Sequence, residues 1–148
     1  MKKLHASIVI HAPREKVWDT MLGDQTYREW TRVFHEGSYY KGSWDEGSKI
    51  LFIGPSEEGD MGMVSRIKEN RPYEFVSIEH LGIIKDGVED LASEEAKKWA
   101  PAFENYTFRD VEGGTEVSVE LDILEEHEAM FNEMWPKALQ ELKRIAET

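Results

Sequence analysis

The alternation of apolar and polar residues predicts β-strands near both ends of the sequence. In residues 3–11 and 115–123 the side chains of one face are apolar, and the alternation is most regular in the second segment. Side chains of a strand point alternately to its two faces, so each segment presents one face suited to burial. Sheets with a single buried face are typically antiparallel.

Shorter apolar segments between these two predict further strands. Residues with strong turn preferences, chiefly glycine, proline, aspartate and asparagine, separate the segments. The direction of the side chains in one of them stays open, because Tyr73 and Phe75 compete with Val76 and Ile78 for the buried face. The predicted strands cover 33–41, 48–54, 60–69, 73–81 and 102–110.

Helical periodicity and capping residues predict four helices. The second and third begin at Asp24 and Ser93, whose side chains can cap a helix, and Pro101 stops the third. Residues 82–90, before the third helix, predict a loop. The helices cover 13–23, 24–30, 93–99 and 125–147.

The last helix carries an apolar stripe that must be buried. Pro136 lies inside this helix and predicts a bend near Asn132, because proline cannot donate a hydrogen bond to the carbonyl four residues earlier. A one-sided sheet and a one-sided helix bury each other, which predicts an α+β two-layer fold in a single domain, 1–148. The stripe comprises Met130, Phe131, Met134, Trp135, Ala138, Leu139, Leu142 and Ile145.

Charge and composition disfavour several classes of partner. The sequence has 30 acidic and 18 basic residues, a formal net charge of -12. Such a surface repels phosphate backbones, so we predict no nucleic-acid partner. No apolar segment approaches the ~20 residues of a membrane-spanning helix, which predicts no membrane insertion. The N-terminal segment has no pattern of an export signal, and we therefore expect a cytoplasmic protein.

The chemistry-bearing residues do not form a metal or cofactor motif. There is no cysteine, which removes thiolate nucleophiles and cysteine-ligated metals. His5 and His11 lie roughly 20 Å apart in a strand, too far to share one ion. The segment 126–128 lacks the spacing of a helical two-histidine site, and no glycine-rich phosphate loop is present. We predict no metal and no cofactor.

The order of the elements and several short motifs resemble the helix-grip fold of the START/SRPBCC superfamily, which includes birch-pollen-allergen-like proteins and polyketide cyclases. The resemblance covers essentially the whole chain. Three motifs are similar to bacterial homologues of the C-terminal domain of the heat-shock chaperone ATPase activator, namely 79–82, 104–107 and 114–117. The motifs shared with the superfamily at large are Ile8 to Pro13 with Val17-Trp18, Tyr27 to Trp30, and Trp44 with Gly47.

This resemblance implies a curved antiparallel sheet of about seven strands around the long C-terminal helix, with two short helices after the first strand. It also implies a cavity between sheet and helix. Superfamily members bind lipids, sterols, polyketides and other apolar molecules there, and a minority catalyse cyclisation or dehydration.

Aromatic and methionine side chains are the candidates for lining such a cavity. Apolar pockets are lined by side chains of this kind with a few polar groups, and methionine adapts its shape to a ligand. Each could equally be an ordinary core residue. The candidate ligand-binding residues are Trp30, Phe34, Trp44, Phe52, Met61, Met63, Phe75, His80, Trp99, Phe103, Tyr106, Met130, Phe131, Met134 and Trp135.

Three polar residues are candidate acid–base groups. Glu104 and Tyr106 share a face of one predicted strand, and His80 lies near the end of another. A carboxyl beside a phenol, or a histidine near a carboxylate, can transfer protons. Each could instead be a hydrogen-bonded structural residue. Arg66 is a further candidate for polar contact with a ligand, or a residue of the solvent face.

Three hypotheses follow. The leading one is a small binding protein that holds an apolar or amphipathic molecule under the terminal helix. The second is a cyclase, aromatase or dehydratase, which requires two of the acid–base candidates to converge in the cavity. The third is a co-chaperone-like module with a chaperone partner, which requires a contiguous exposed apolar patch.

Overall fold

The computed structural model describes residues 1–148, and its centre is one antiparallel sheet of eight strands. The order across the sheet is β1-β8-β7-β5-β4-β3-β2, and β6 pairs with β5. The strands are β1 Lys2–Ile10, β2 Tyr39–Gly42, β3 Lys49–Gly54, β4 Met61–Arg71, β5 Phe75–Lys85, β6 Val88–Asp90, β7 Ala102–Val111 and β8 Gly114–Ile123.

Four α-helices lie around the sheet, at positions close to those predicted. The third begins at Ser93, whose Oγ accepts a hydrogen bond from the Ala96 amide at 3.1 Å, so the predicted cap is confirmed. The second begins at Asp24 with Gly23, not Asp24, in the capping position. The helices are α1 Arg14–Leu22, α2 Asp24–Trp30, α3 Glu94–Trp99 and α4 Glu128–Ala146.

The core lies between the sheet, α1, α2 and α4. Leu139 and Leu142 of α4 are buried against the sheet together with Ile67 and Val117, while Trp18 of α1 packs on Phe108. The apolar stripe of α4 and the apolar face of the sheet thus bury each other, and the predicted α+β helix-grip fold is confirmed.

The prediction for 33–41 is wrong at its start. Residues Thr31–Val33 form a 3-10 turn that continues α2, and the strand begins only at Tyr39. The Thr31 hydroxyl donates to the Tyr27 carbonyl at 2.5 Å, and the Phe34 amide donates to the Thr31 carbonyl at 2.9 Å. These bonds keep the chain helical despite side chains with strand preference.

The predicted loop 82–90 is also wrong, because it is a hairpin. β5 runs to Lys85, and β6 returns from Val88. Asp86 and Gly87 connect them with φ values of 53° and 76°. Two central residues with positive φ make the turn type that fits the twist of a two-residue hairpin.

The last helix is preceded by a 3-10 turn, Glu125–His127, and continues past Pro136 to Ala146. The predicted helix of 125–147 is therefore confirmed apart from its first turn. The bend near Asn132 stays a prediction.

Candidate functional site

A cavity of about 260 Å³ lies between the inner face of the sheet, α2, α3 and α4, and it opens to solvent. Most of its wall is apolar, and eight of the side chains are aromatic. The lining residues are Tyr27, Trp30, Thr31, Phe34, Ser38, Phe52, Met63, His80, Trp99, Ala102, Glu104, Tyr106, Leu121, Asp122, Ile123, Phe131 and Trp135.

The aromatic wall is a set of packed rings from separate elements. The Trp135 ring of α4 lies 4.9 Å from Phe34, 6.0 Å from Trp30 and 6.2 Å from Tyr106 between centroids. Trp99 reaches the cavity from α3. Rings packed in this way have little freedom to collapse into the space between them, which preserves a void.

Nine of the predicted lining residues border this cavity, and so does the acid–base candidate Glu104. The register between β5 and β7 also answers which face of β5 is buried. Val76 pairs with Tyr106, and Ile78 pairs with Glu104, so these residues share the inner face. The nine are Trp30, Phe34, Phe52, Met63, His80, Trp99, Tyr106, Phe131 and Trp135.

Phe75 and Phe103 do not line the cavity, which corrects the prediction for both. Successive side chains of a strand point to opposite faces. Phe75 is next to the inward-facing Val76, and Phe103 lies between Ala102 and Glu104, so both phenylalanines point away from the cavity. Phe75 lies under the Arg71 guanidinium instead, 5.0 Å from the ring centroid.

The methionines predicted as lining are mostly elsewhere. Met61, at the start of β4, is 52% exposed, and Met130 is 42% exposed. Met134 does not border the cavity and lies about 100° around the helix from Trp135, which does. Met63 lines the cavity, whereas the prediction that these three methionines line it is wrong.

Two further candidates lie outside the cavity wall. Trp44 packs against Tyr40 and Phe52, with ring centroids at 5.4 and 5.7 Å, and it does not border the cavity. Arg66 pairs with Glu79 at 2.5 Å. Neither Arg66 nor Glu79 contributes to the lining, so Arg66 is a residue of the outer face.

Four side chains form a hydrogen-bonded chain, and three of them, His80, Glu104 and Tyr106, line the cavity. Ser65 Oγ lies 2.7 Å from His80 Nδ1, and His80 Nε2 lies 3.1 Å from Glu104 Oε1. The Tyr106 hydroxyl donates to Glu104 Oε2. The three predicted acid–base residues thus converge, and Ser65 supports them from β4.

The partners determine where the protons lie. Glu104 as a carboxylate has only lone pairs, so the proton that joins it to His80 lies on Nε2. Nδ1 accepts from the Ser65 hydroxyl when the imidazole is neutral and donates to Ser65 Oγ when it is protonated. Ser65 is fully buried, and this bond satisfies it. Glu104 keeps one free lone pair on each oxygen.

The two tyrosines of the wall remain protonated. Burial is the main cause that raises the pKa of Tyr106 well above its usual range, and the negative charge of Glu104 adds to it. Burial also raises the pKa of Tyr27, again with a contribution from Glu104. Both hydroxyls are therefore protonated and can donate hydrogen bonds at neutral pH.

The second acidic side chain of the lining, Asp122, is neutralised. Lys3 Nζ lies 2.7 Å from its Oδ1, and the Phe103 amide donates to Oδ2 at 2.9 Å. Partial burial opposes the charge of Asp122, but the bonds from Lys3 and Phe103 outweigh it, so its pKa is lowered. Glu104 has no such basic partner, since His80 is the one basic side chain within ion-pair distance.

Several lining residues were not predicted. Tyr27, Thr31, Ser38, Ala102 and Asp122 come from a helix, a turn and strand ends whose patterns carry no signal of a cavity. Ser65 could have been found only from the pairing of β4 with β5, which brings it opposite His80. We find no group of three or more histidine, cysteine or acidic side chains placed to hold a metal ion, and no helix that is long and apolar enough to span a membrane.

Solved structures with the same fold have low sequence identity to this chain. A Cytophaga hutchinsonii protein has a TM-score of 0.74 at 20% identity, with 99% of this chain and 94% of that chain covered. The Aha1 dimer from Colwellia psychrerythraea gives 0.71 at 20% identity, with 99% and 97% covered. DynU16, from the dynemicin biosynthetic locus, gives 0.72 at 12% identity, with 100% and 48% covered. At such identities the likeness shows the fold alone.

Family assignment rests on the sequence itself. Among curated proteins none matches this sequence. Residues 11–147 match the family described as "Activator of Hsp90 ATPase homolog 1-like protein", which is the branch that the motifs resemble. The chain belongs to the Activator of Hsp90 ATPase homolog 1-like protein family.

Proposed function

We propose that the protein binds a small, mostly apolar molecule in the cavity beneath α4, with one polar group of that molecule directed at Glu104. The observation that carries this proposal is an unfilled aromatic cavity whose wall contains the hydrogen-bonded residues His80, Glu104 and Tyr106. A few polar groups in an apolar lining fix the orientation of a ligand.

The size of the cavity limits the ligand. Its volume of about 260 Å³ is below the roughly 300–1,000 Å³ of pockets for drug-sized molecules. A sterol or a long lipid chain would need more room than this. A ligand with a single ring or two fused rings and a short polar substituent fits the volume and the aromatic walls.

Isothermal titration calorimetry with 2-naphthylmethanol tests this proposal, because the probe has two fused rings and one hydroxyl. We expect saturable binding with one site per chain, and we expect Ala102→Phe to abolish it. Ala102 is 1% exposed and borders the cavity, so a ring added there occupies the ligand's space. Ala92→Phe, at an exposed position, is the matched control.

Ala102→Leu fills less of the space and replaces Ala102→Phe in the test if the larger substitution prevents folding. We expect Ala102→Leu to weaken binding. No heat of binding to the unmodified protein, or equal binding by the Ala102 variants, would refute the proposal.

Convergence of the acid–base residues favours a second candidate function, proton transfer to and from a bound ligand. Glu104 is oriented by His80 and Tyr106 and keeps free lone pairs, so it is the candidate base. Hydrogen–deuterium exchange at the carbon next to the carbonyl of 2-tetralone, followed by NMR in D₂O, measures this activity directly.

In that assay we expect exchange faster than in buffer, loss of the acceleration in Glu104→Gln, and retention in Glu79→Gln. Glu79 is a neighbouring acid paired with Arg66 outside the cavity, which makes it a matched control. Exchange at the buffer rate with the unmodified protein would exclude this function for ketones of this kind.

A further inference from the structure

We infer that the cavity selects organic cations, specifically an apolar ring system that carries an ammonium group, over neutral or anionic molecules of the same shape. This inference rests on the proposed function and names the ligand class of the same site. It follows from three features of the wall: its charges, its aromatic faces and the free acceptor positions of Glu104.

The first feature is the imbalance of charge in the wall. The lining contains two acidic side chains and no lysine or arginine. Lys3 balances Asp122, whereas Glu104 is paired only with His80. The bonds to Glu104 come from the His80 imidazole and the uncharged Tyr106 hydroxyl, and in the neutral state of His80 the negative charge of Glu104 is not cancelled.

The second feature is the position of that charge. The Glu104 side chain is 18% exposed, and this exposure is toward the cavity that it borders. A charge with little water around it interacts more strongly with a partner than a charge on the surface does. A ligand ammonium that donates to the free lone pairs of Glu104 forms a charge-assisted hydrogen bond, which is stronger than the bond a hydroxyl would form.

The third feature is the aromatic wall. Faces of tryptophan, tyrosine and phenylalanine attract cations through the negative charge above their rings, and cages of such rings bind ammonium ligands. Tyr27, Tyr106 and Trp135 line the same cavity as Glu104; Tyr106 bonds Glu104 directly and its ring lies 6.2 Å from that of Trp135. A carboxylate ligand would face both the rings and Glu104 unfavourably. The protein's net charge of -12 also attracts cations from solution and repels anions.

Three probes of one skeleton test the inference by calorimetry at pH 7: 2-naphthylmethylamine, 2-naphthylmethanol and 2-naphthoate. The amine is protonated at this pH, as a lysine side chain is. We expect the amine to bind about tenfold more tightly than the alcohol, and we expect no measurable binding of the naphthoate. The series uses the unmodified protein, so it does not depend on a variant that folds.

The ratio of the two dissociation constants, alcohol to amine, identifies Glu104 as the cause. In Glu104→Gln we expect this ratio to fall most of the way to one, because the side chain keeps its shape and loses its charge, while the aromatic wall remains. In Glu79→Gln, which removes an equal charge outside the cavity, we expect the ratio of the unmodified protein. Near-ultraviolet circular dichroism shows whether each variant is folded.

The outcomes separate this inference from the proposed function. If the alcohol binds and the amine binds no more tightly, the cavity is a ligand site without cation preference, and the inference is overturned. If none of the three probes binds, the proposed function fails first. If Glu79→Gln lowers the ratio as much as Glu104→Gln does, the preference comes from overall charge, and the assignment to Glu104 is wrong.

Discussion

The hydrogen bond between Tyr106 and Glu104 should make a measurable contribution to the free energy of unfolding. Tyr106 is 2% exposed, so in Tyr106→Phe the Glu104 oxygen loses its donor with little water to replace it. Bonds to charged groups contribute about 1.5–3 kcal/mol. Because the Glu104 side chain keeps 18% exposure, we expect the lower part of this range, about 1.5–2 kcal/mol.

A double-mutant cycle isolates this bond. Glu104→Met removes the acceptor at similar volume, leaves the Tyr106 hydroxyl and the His80 Nε2 proton without a partner, and should cost about 1–3 kcal/mol. In the double variant the unpaired hydroxyl is also gone. We therefore expect the double variant to be more stable than the sum of the single effects predicts, by about 1–2 kcal/mol. Urea unfolding of the four proteins measures the cycle.

Tyr73→Phe is the control, since the Tyr73 side chain is 40% exposed and its hydroxyl has no protein partner. We expect its effect to stay within about 0.5 kcal/mol. Additivity of Tyr106→Phe and Glu104→Met within about 0.5 kcal/mol would refute the coupling, and with it the description of the cavity wall as a connected chain.

Three further predictions concern the fold around the site. Asp122→Asn should lower stability at pH 7 by about 1 kcal/mol. Because the pKa of Asp122 is lowered from 3.8, its contribution is present above pH 3.8 and is lost as the pH falls through the lowered pKa, so the urea midpoints of variant and parent should converge on acidification below pH 3.8. Leu142→Ala, at a fully buried position of α4, should cost about 2–5 kcal/mol in thermal unfolding, whereas Leu91→Ala, 51% exposed, should change stability by less than about 0.5 kcal/mol. Ser93→Ala should cost about 1 kcal/mol and speed amide exchange in α3, because Ser93 caps that helix; unchanged exchange there would contradict the capping role.

The elements could be predicted from the sequence wherever one pattern dominated. The alternation in 115–123 and the stripe of α4 gave strand and helix with errors of a few residues. The missed strand β6 has only three residues and no alternation. The sequence did indicate the hairpin that β6 forms with β5, through the Asp86-Gly87 dipeptide, which is common in two-residue hairpin turns.

The site could be predicted only in part, because strand register is not written in local patterns. Residue types suggested His80, Glu104 and Tyr106, but the contact between His80 and Glu104 depends on how β5 pairs with β7. Phe75 and Phe103 were as apolar as the true lining residues and differ from them only in phase. The ion pair that neutralises the charge of Asp122 likewise depends on strand pairing, because Lys3 of β1 lies opposite Asp122 of β8.

The pairing of β1 with β8 has a consequence for the speed of folding. Its partners, from Lys2 with Ile123 to Ile10 with Thr115, lie more than 100 residues apart in the sequence. Contacts this distant require closure of a long chain loop, and domains rich in them fold on the millisecond-to-second scale rather than in microseconds. The cavity also needs α4, which follows β8 in the chain. The cavity therefore forms only after α4 has packed on the sheet, and an early folding intermediate should have no affinity for the naphthyl probes.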